Sequence, residues 1–436
     1  MRKTNKGVTK LQVAIIAVVI VIVVIAGIAY YFYHLPATVT TPPPKDKVVF
    51  GVVCAQTGVY AGLTQMFTLP YYQWVVEEQN AKGGLYIPEY GKRLPIELKI
   101  YDDGSDVETN LRLTEKAIVE DKVDFLFAPS GAEICFAATS VYEKYRVPVV
   151  LMTIEVDDLG RAIRKGDIRY SFPVYCASEW YAPHLVNFLK STGSKRVGII
   201  YPQIRAGIDW AKDFYSEIKA SGVAEIVVYE AYPYPTEDLS PLIRKMMEAK
   251  VDAAIACAEG PDSILFVRQS IELGFYPPVI MSGPGCEVPA IDLPIFGTEA
   301  LKGFMNFNEY QGIGYSVFRQ NPGLWKWCEE HKRRLGALPF TNALLPYLGY
   351  KALLQAIEEH GLNREKVRNA LASETFKIDV YGFEVLFRFR PGEMGAEILN
   401  VKTGCFSQWQ GAEMPEIVWP PEGASAPWIP WRPQKG

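Results

Sequence analysis

Histidine is the side chain that most often carries acid–base and metal chemistry near neutral pH, and this chain of 436 residues has four. They are widely separated in the sequence, at His34, His184, His331 and His360. Neither an H-E-x-x-H zinc motif nor a G-x-S-x-G nucleophile motif occurs. We therefore expect no enzyme, no catalytic residue and no metal site, although a Cys–His pair brought together by folding stays open at this stage.

Cysteine, glycine and charge patterns argue against further classes of function. The seven cysteines include no C-x-x-C pair, which argues against a structural zinc site. The glycines at Gly83-Gly84 and Gly274 lack the spacing of a P-loop or a dinucleotide fingerprint, so no cofactor is expected. The net charge is -4 at pH 7 and no basic stripe follows residue 47, so nucleic acid is not expected as a partner.

The N-terminus has the pattern of a membrane anchor. No charged side chain occurs from Val13 to Tyr33, a stretch that would form a helix of about 30 Å, and four basic residues precede it. Because basic flanks stay cytoplasmic, we predict a cytoplasmic basic segment at 1–10, a transmembrane anchor at 11–33 and a Thr/Pro linker at 34–46. The rest of the chain is then extracellular or periplasmic. A cleaved secretory signal is the alternative, and the aromatic end of the apolar stretch favours the anchor.

After the linker, short apolar runs alternate with helical patterns. The runs form two series, Val48–Val53, Ile96–Tyr101 and Phe125–Phe127, then Val197–Tyr201, Ile226–Tyr229 and Ala253–Ala258. Strands that alternate with helices are typical of parallel sheets with helices on both faces. Since about 400 residues are too many for one ordinary core, we predict an α/β protein with two doubly wound parallel-sheet lobes.

Several short motifs, in this order and spacing, resemble one known family. They are Thr57-Gly58-Val59-Tyr60-Ala61-Gly62, Asn80-Ala81-Lys82-Gly83-Gly84, Tyr101-Asp102-Asp103-Gly104-Ser105-Asp106, Ala128-Pro129-Ser130-Gly131 and, near the end, Phe406-Ser407-Gln408-Trp409-Gln410-Gly411 and Ile417-Val418-Trp419-Pro420-Pro421-Glu422. From residue 47 to 436 the chain resembles the type I periplasmic solute-binding proteins of ABC importers, in the branched-chain amino acid (leucine-binding protein) group. The resemblance implies two lobes joined by three crossovers that close on a small solute.

The resemblance also implies where the lobes and the site lie. Lobe 1 would comprise residues 47–173 and 303–378, and lobe 2 residues 174–302 and 379–436. Ligands of open parallel sheets bind beyond the carboxyl ends of the strands, which agrees with a site in the cleft between the lobes. The expected ligand-binding residues in these loops are Tyr60, Leu63, Ser130, Ala132, Glu133, Thr153, Glu155, Tyr201, Glu259 and Ser282.

Two roles can be assigned within this set. Tyr60 would pack against an apolar tail of the solute, the alternative being a half-buried surface tyrosine. Ser130 and Thr153 would donate hydroxyl groups to a carboxylate, the alternative being ordinary helix caps.

The chain departs from the family pattern at the expected site. Amino acid binders of this family hold the ligand carboxylate with small hydroxyl residues and the ammonium with an acid of lobe 2. Here acids stand beside the hydroxyl positions at Glu133 and Glu155, and the expected lobe 2 acid is replaced by Ser282-Gly283-Pro284-Gly285, with Glu287 displaced. Acids at Glu155 and Glu259, if they face the cleft, would favour a cationic, amide or polyol ligand over a carboxylate. The specificity of the family is therefore not expected to transfer intact.

The resemblance and the anchor together predict the function. We expect a membrane-anchored solute-binding subunit that binds a small solute, which is an amino acid, an amino-acid-like compound or an amide, in the interlobe cleft and delivers it to the permease subunits of an ABC importer. The ATPase would be on separate subunits, since this chain has no P-loop. The alternative is a ligand-sensing ectodomain that works with a separate signalling partner, because the cytoplasmic segment is too short for an output domain.

Overall fold

The computed structural model describes residues 19–28, 30, 43–152, 156–258 and 260–431, with the backbone alone at 308 and 309. Residues 19–28 are helical, and most of the predicted anchor at 11–33 lies outside the described residues. Among the helices that are described, none has both the length and the apolar character needed to cross a bilayer. The described residues from 45 onward form one compact unit.

The chain up to residue 173 alternates strands and helices as predicted. Its strands are β1 (Val48–Cys54), β2 (Leu85–Ile87), β3 (Lys92–Leu94), β4 (Ile96–Asp102), β5 (Phe125–Phe127), β6 (Val149–Leu151) and β7 (Ser171–Pro173). Its helices are α1 (Leu69–Ala81), α2 (Val107–Val119), α3 (Ala132–Tyr145) and α4 (Asp157–Lys165). A helical turn (Ala61–Leu63) and a π-helical turn (Thr64–Thr68) lead into α1.

The first sheet has the strand order β4-β1-β5, and both pairings are parallel. Strands β6 and β7 form a second parallel pair, and β6 contacts β5. All residues of β1 except Val49 are buried, as expected for the apolar central strand of a parallel sheet. The carboxyl ends of β1, β5 and β6 therefore lie along one edge.

The segment 174–312 builds a second, larger sheet. Its strands are β8 (Arg196–Pro202), β9 (Glu225–Tyr232), β10 (Ala253–Ala256), β11 (Val279–Ser282) and β12 (Met305–Gly312). Its helices are α5 (Ala182–Thr192), α6 (Arg205–Ser221), α7 (Ser240–Glu248), α8 (Gly260–Leu273) and α9 (Pro289–Leu301), and a 3-10 turn (Ser178–Trp180) precedes α5. These strands lie in the order β12-β11-β10-β8-β9, and all of their pairings are parallel.

The last segment completes the second sheet and forms a further sheet of its own. Its helices are α10 (Tyr315–Gln320), α11 (Pro322–Leu335), α12 (Leu344–His360) and α13 (Arg364–Ser373), and its strands are β13 (Phe376–Val380), β14 (Phe383–Phe389), β15 (Ala396–Ile398), β16 (Gly404–Gln408) and β17 (Glu416–Trp419). Strands β16 and β17 complete the second sheet in antiparallel pairing. Strands β13, β14 and β15 form a separate antiparallel sheet.

The sheets place two segments differently from the predicted lobes. Residues 305–312 were assigned to lobe 1, yet β12 pairs with β11 in the second sheet. Residues 383–398 were assigned to lobe 2, yet β14 pairs with β13, which begins in the predicted lobe 1, and packs against α13 of that lobe. We use first lobe for the elements on β1, β4–β7 and β13–β15, and second lobe for those on the seven-stranded sheet. The remaining predicted boundaries stay predictions.

Candidate functional site

A cavity of about 570 Å³ lies where the carboxyl ends of the strands of both lobes face each other. Its wall includes residues that follow β1, β5 and β6 in the first lobe and β8, β9, β10 and β11 in the second. This is the position that parallel sheets offer to ligands, and the volume is within the range of about 300–1,000 Å³ usual for small-molecule sites. We call it the interlobe cavity.

The first-lobe wall presents an aromatic and apolar surface from the two turns before α1. Tyr60, Leu63 and Phe67 all line the cavity. The Tyr60 ring is held against Gly131, where an added Cβ would lie 2.9 Å from ring carbon Cε2. Gly131 also has φ +88°, a conformation that side chains other than glycine rarely adopt. Local geometry therefore fixes the tyrosine at the wall, where the sequence placed it.

Ser130 does not line the cavity, contrary to the prediction. Its side chain is fully buried, accepts a hydrogen bond from Thr64 Oγ1 at 2.7 Å and donates one to Thr68 Oγ1 at 2.8 Å. These bonds tie the π-helical turn to the loop after β5. The hydroxyl is therefore already used within the first lobe and is not presented to a ligand.

The N-terminal turn of α3 does reach the cavity. Ala132 and Glu133 both lie on the wall, and Glu133 is exposed. A helix N-terminus favours negative charge, and here Glu133 itself supplies it. A ligand carboxylate would therefore compete with this side chain, as the departure from the family pattern suggested.

Three predicted site residues, Thr153, Glu155 and Glu259, lie outside the described residues. Their described neighbours Met152, Val156 and Gly260 line the cavity. The roles of the three residues stay predictions.

Tyr201 and Ser282 lie behind the second-lobe wall. Tyr201 is the penultimate residue of β8 and its ring packs 5.1 Å from the ring of Tyr229 on the neighbouring strand. Ser282 is the last residue of β11, is fully buried and lies 2.6 Å from Ser263 Oγ. The sequence predicted both at the start of cleft loops, whereas both lie inside strands, and their side chains pack within the lobe.

The acidic side chain on the second-lobe wall is Glu287, which follows the Pro284-Gly285 turn. It is only 9% exposed, and its Oε2 accepts a hydrogen bond from the Gly285 N–H at 2.6 Å. Burial raises the pKa of Glu287 to about 7. In the described part of the chain no lysine or arginine pairs with it. The sequence analysis noted Glu287 only as an acid displaced from the position expected in the family. No sequence motif indicates that the Pro284-Gly285 turn places it on the wall.

Asp292 sets the electrostatics behind Glu287. Burial, followed by the charge of Glu287, raises the pKa of Asp292 to about 8. Its Oδ2 accepts a hydrogen bond from the Val288 N–H at 2.7 Å, whereas Oδ1 is buried without a hydrogen-bond partner. Two neighbouring buried carboxyls without a cation disfavour full ionisation. A positive or hydrogen-bond-donating ligand group beside Glu287 would relieve this strain.

The cavity rim is closed by contacts between α4 of the first lobe and α6 of the second. Arg205 lines the cavity and forms an ion pair with Asp158 across the lobes, and a second one with Asp209 at 3.1 Å. Next to this pair, Ser178 Oγ lies 3.1 Å from Asp157 Oδ1 and 2.6 Å from Asp213 Oδ2. We call Asp157, Asp158, Ser178, Arg205 and Asp213 together the α4–α6 clasp.

The geometry of the clasp favours one proton held between its two buried carboxyl groups. One hydroxyl hydrogen can serve only one of the two carboxyl groups that contact Ser178. The other contact is a hydrogen bond only when a carboxyl carries a proton and donates it. Burial, then the charges of Asp213 and Asp209, raises the pKa of Asp157 to about 7, and burial also raises the pKa of Asp213.

The described cavity wall contains neither histidine nor cysteine. The buried His331 is instead bonded to the Ala337 carbonyl at 2.8 Å and to the Tyr71 hydroxyl at 3.0 Å. In the described residues, one group of metal-type side chains, Glu359, His360 and Glu374, lies at the end of α12, away from the cavity. The wall is therefore suited to holding a solute by packing, charge and hydrogen bonds.

Comparison with known proteins agrees with this architecture. Leu/Ile/Val-binding protein homolog 8 from Brucella melitensis is 26% identical over 358 residues, which are 79% of this chain and 81% of that protein. The solved structure of the branched-chain amino acid transporter substrate binding protein LivJ from Streptococcus pneumoniae, in complex with isoleucine, has a TM-score of 0.62 at 18% identity and covers 81% of this chain and 99% of that one. An ABC transporter solute binding protein from R. palustris, in complex with 4-hydroxybenzoate, has a TM-score of 0.63 at 20% identity over 84% and 98% of the two chains.

The comparison with protein families covers most of the chain. The sequence model for the periplasmic binding protein matches residues 47–396, from the start of β1 to the start of β15. That match, the two parallel sheets and the cavity between them agree with one another. The chain belongs to the periplasmic binding protein family, in the type I group that includes the leucine-binding proteins.

Proposed function

We propose that this chain is the membrane-anchored solute-binding subunit of an ABC importer and delivers a small amphipathic solute to separate permease and ATPase subunits. The observation that carries the proposal is the interlobe cavity, whose apolar walls face a single buried carboxyl, Glu287, that has no cationic partner in the described residues. An apolar pocket with few polar groups at fixed positions is the usual form of a small-molecule site.

The solute is an amino acid or an amino-acid-like amide. Its nitrogen-bearing group would lie beside Glu287 and its apolar part against Tyr60 and Leu63. The isoleucine in the LivJ structure supports an amino acid, and the 4-hydroxybenzoate in the R. palustris protein shows that this fold also holds other amphipathic solutes. Thr153, Glu155 and Glu259 would complete the wall.

The test is a thermal-shift screen of residues 45–436 against leucine, isoleucine, valine, their amides and a neutral sugar. A ligand at 100 times its dissociation constant adds about 2.7 kcal/mol to the unfolding free energy, which raises the melting temperature by several degrees. The shift should become much smaller in Glu287→Gln and persist in Glu248→Gln, an exposed acid on α7 away from the cavity. Equal shifts in both variants, or no shift with any amine or amide, would contradict the proposal.

We further propose that residues 11–33 anchor the chain, with residues 1–10 cytoplasmic and the binding domain outside. The uncharged stretch and its basic flank support this orientation. Deletion of residues 1–46 should move the protein from the membrane fraction to the soluble fraction with unchanged solute affinity. Recovery of the full-length chain in the soluble fraction would refute the anchor.

A further inference from the structure

A second cavity, of about 320 Å³, lies within the first lobe. Its wall is formed by the last turn of α4, β7, α13 and the turn between β14 and β15, and none of its lining residues lines the interlobe cavity. We call it the basic cavity. Its charged lining residues are Arg164, Lys165, Arg169, Arg368, Arg390 and one acid, Glu393.

Two of the five cations have acidic partners. Arg164 forms ion pairs with Glu179 at 2.5 Å and with Glu393 at 3.6 Å. Arg390 Nε lies 3.8 Å from Glu397. These pairs neutralise one side of the cavity.

The other three cations, Lys165, Arg169 and Arg368, have no acid at ion-pair distance in the part of the chain that is described. Arg368 is nevertheless held in place, because its Nε donates to the Arg169 carbonyl at 3.0 Å and its Nη1 to Asn369 Oδ1 at 2.9 Å. Further N–H groups of this guanidinium stay available. Positive charges around one concavity repel one another and attract an anion.

Ser171, on β7, supplies an independent indication of a ligand. It lines the basic cavity and is only 5% exposed, and its hydroxyl has no hydrogen-bond partner. Buried hydroxyls are normally satisfied, and an unsatisfied one is costly. An oxyanion in the cavity would accept from this hydroxyl and from the guanidinium groups together.

The rest of the wall strengthens these interactions. Ile163, Ile168 and Phe172 line the cavity and lower the local polarity. The carbonyl end of α4 also lies here and disfavours an anion, but two cations, Arg164 and Lys165, occupy that last turn and offset it.

We propose that the basic cavity is a second binding site, which takes a small phosphate-bearing anion independently of the solute in the interlobe cavity. The phosphate group would lie between Arg169 and Arg368 and accept a hydrogen bond from Ser171. Planar guanidinium groups bind phosphate oxygens in this way. Inorganic phosphate and a phospholipid headgroup share this chemistry, and the experiment separates them.

The experiment titrates the full-length protein in mild detergent with inorganic phosphate at constant ionic strength, with chloride as the reference, and follows binding by calorimetry. A parallel arm measures sedimentation with vesicles of phosphatidylglycerol against vesicles of phosphatidylcholine. Arg169→Gln/Arg368→Gln should weaken binding at least about tenfold, since each variant removes a charge-assisted hydrogen bond, and Ser171→Ala should weaken it several-fold. Lys165→Gln, at an exposed position, serves as a further variant if the double variant does not fold.

The matched control is Arg112→Gln/Arg244→Gln, which removes two exposed arginines outside the cavity. Phosphate binding that is lost in the cavity variants and kept in the control supports the site for a soluble anion. Binding to phosphatidylglycerol vesicles that is lost in the cavity variants and kept in the control, without binding of inorganic phosphate, assigns the site to a lipid headgroup. Equal losses in the cavity and control variants, or no binding in either arm at about 10 mM phosphate, would overturn the proposal.

Discussion

Replacing Asp157 with asparagine should stabilise this protein at alkaline pH and leave it unchanged in acid. In the α4–α6 clasp Ser178 contacts both Asp157 and Asp213, the Asp157 side chain is only 2% exposed, and we infer that the two carboxyl groups hold one proton between them. Facing charges are Asp209 and Lys212 on α6, and Arg161 on α4, whose Nη1 lies 3.9 Å from the Asp157 carboxyl. An amide keeps the size and the hydrogen bond to Ser178 but cannot ionise.

The size of the effect follows from the raised pKa. A pKa of about 7 in the folded protein against 3.8 in the unfolded chain corresponds to about 4 kcal/mol, at about 1.4 kcal/mol for each pH unit. The folded state holds the proton where the unfolded state has lost it, so the unfolding free energy of the wild type falls as pH rises from about 4 to about 7. The Asp157→Asn variant lacks this loss, so above pH 7 it should be more stable by up to about 4 kcal/mol.

The assay is urea denaturation of residues 45–436 at intervals from pH 4 to pH 8.5. Asp213→Asn should give a similar result, because it removes the other member of the pair. The control is Glu248→Gln, an exposed acid on α7, which should run parallel to the wild type. If the unfolding free energies of the wild type and Asp157→Asn change in parallel with pH, the proton shared between Asp157 and Asp213 is refuted.

Three further predictions concern the interlobe cavity. Gly131→Ala should weaken solute binding about tenfold or more, because its Cβ would push Tyr60 from the wall, whereas Gly193→Ala, also at positive φ but in open space, should leave affinity unchanged in the same calorimetric titration. Ser130→Ala should lower the unfolding free energy by about 1 kcal/mol in urea denaturation and leave solute affinity within about twofold, since its hydroxyl bonds are internal. A ligand-contacting hydroxyl would give the opposite pattern. Affinity for an amine-bearing solute should rise as pH passes through about 7 and Glu287 ionises, and Glu287→Gln should remove that dependence. A slope that survives in this variant would assign the titration elsewhere.

The α/β class and the position of the site could be predicted from sequence because both depend on local patterns. Apolar runs such as β1 and β10 alternate with amphipathic helices, and the strand-end rule then places loops at a known edge. Tyr60 and Leu63, which follow β1 directly, lie on the wall as predicted. Their roles in binding stay predictions.

The predicted site residues that do not line the cavity in the second lobe lie at strand ends, where a shift of one residue decides which way a side chain points. Ser282 is the last residue of β11 and Tyr201 the penultimate residue of β8, and the alternation along a strand turns such a side chain toward the lobe or toward the cleft. The sequence also contains no sign that β12 pairs with β11, because its mixed polar and apolar residues, MNFNEYQG, show no preference for either sheet. Glu287 was not predicted as a ligand-binding residue, because the conformation of the turn before it decides whether its side chain reaches the cavity.

The clasp links the proton to the solute through one side chain. Arg205 on α6 lines the interlobe cavity and forms an ion pair with Asp158 on α4 of the other lobe. Asp157, which precedes Asp158 on α4, is joined through Ser178 to Asp213, which lies on the same helix as Arg205. If binding of a solute draws the two walls together, the α4–α6 contact and the proton it holds would be stabilised with it. By linkage, solute affinity should therefore fall as the pair ionises, the opposite direction from the rise expected at Glu287. The two effects can be separated, because Asp157→Asn should remove the fall in affinity and leave the rise caused by Glu287.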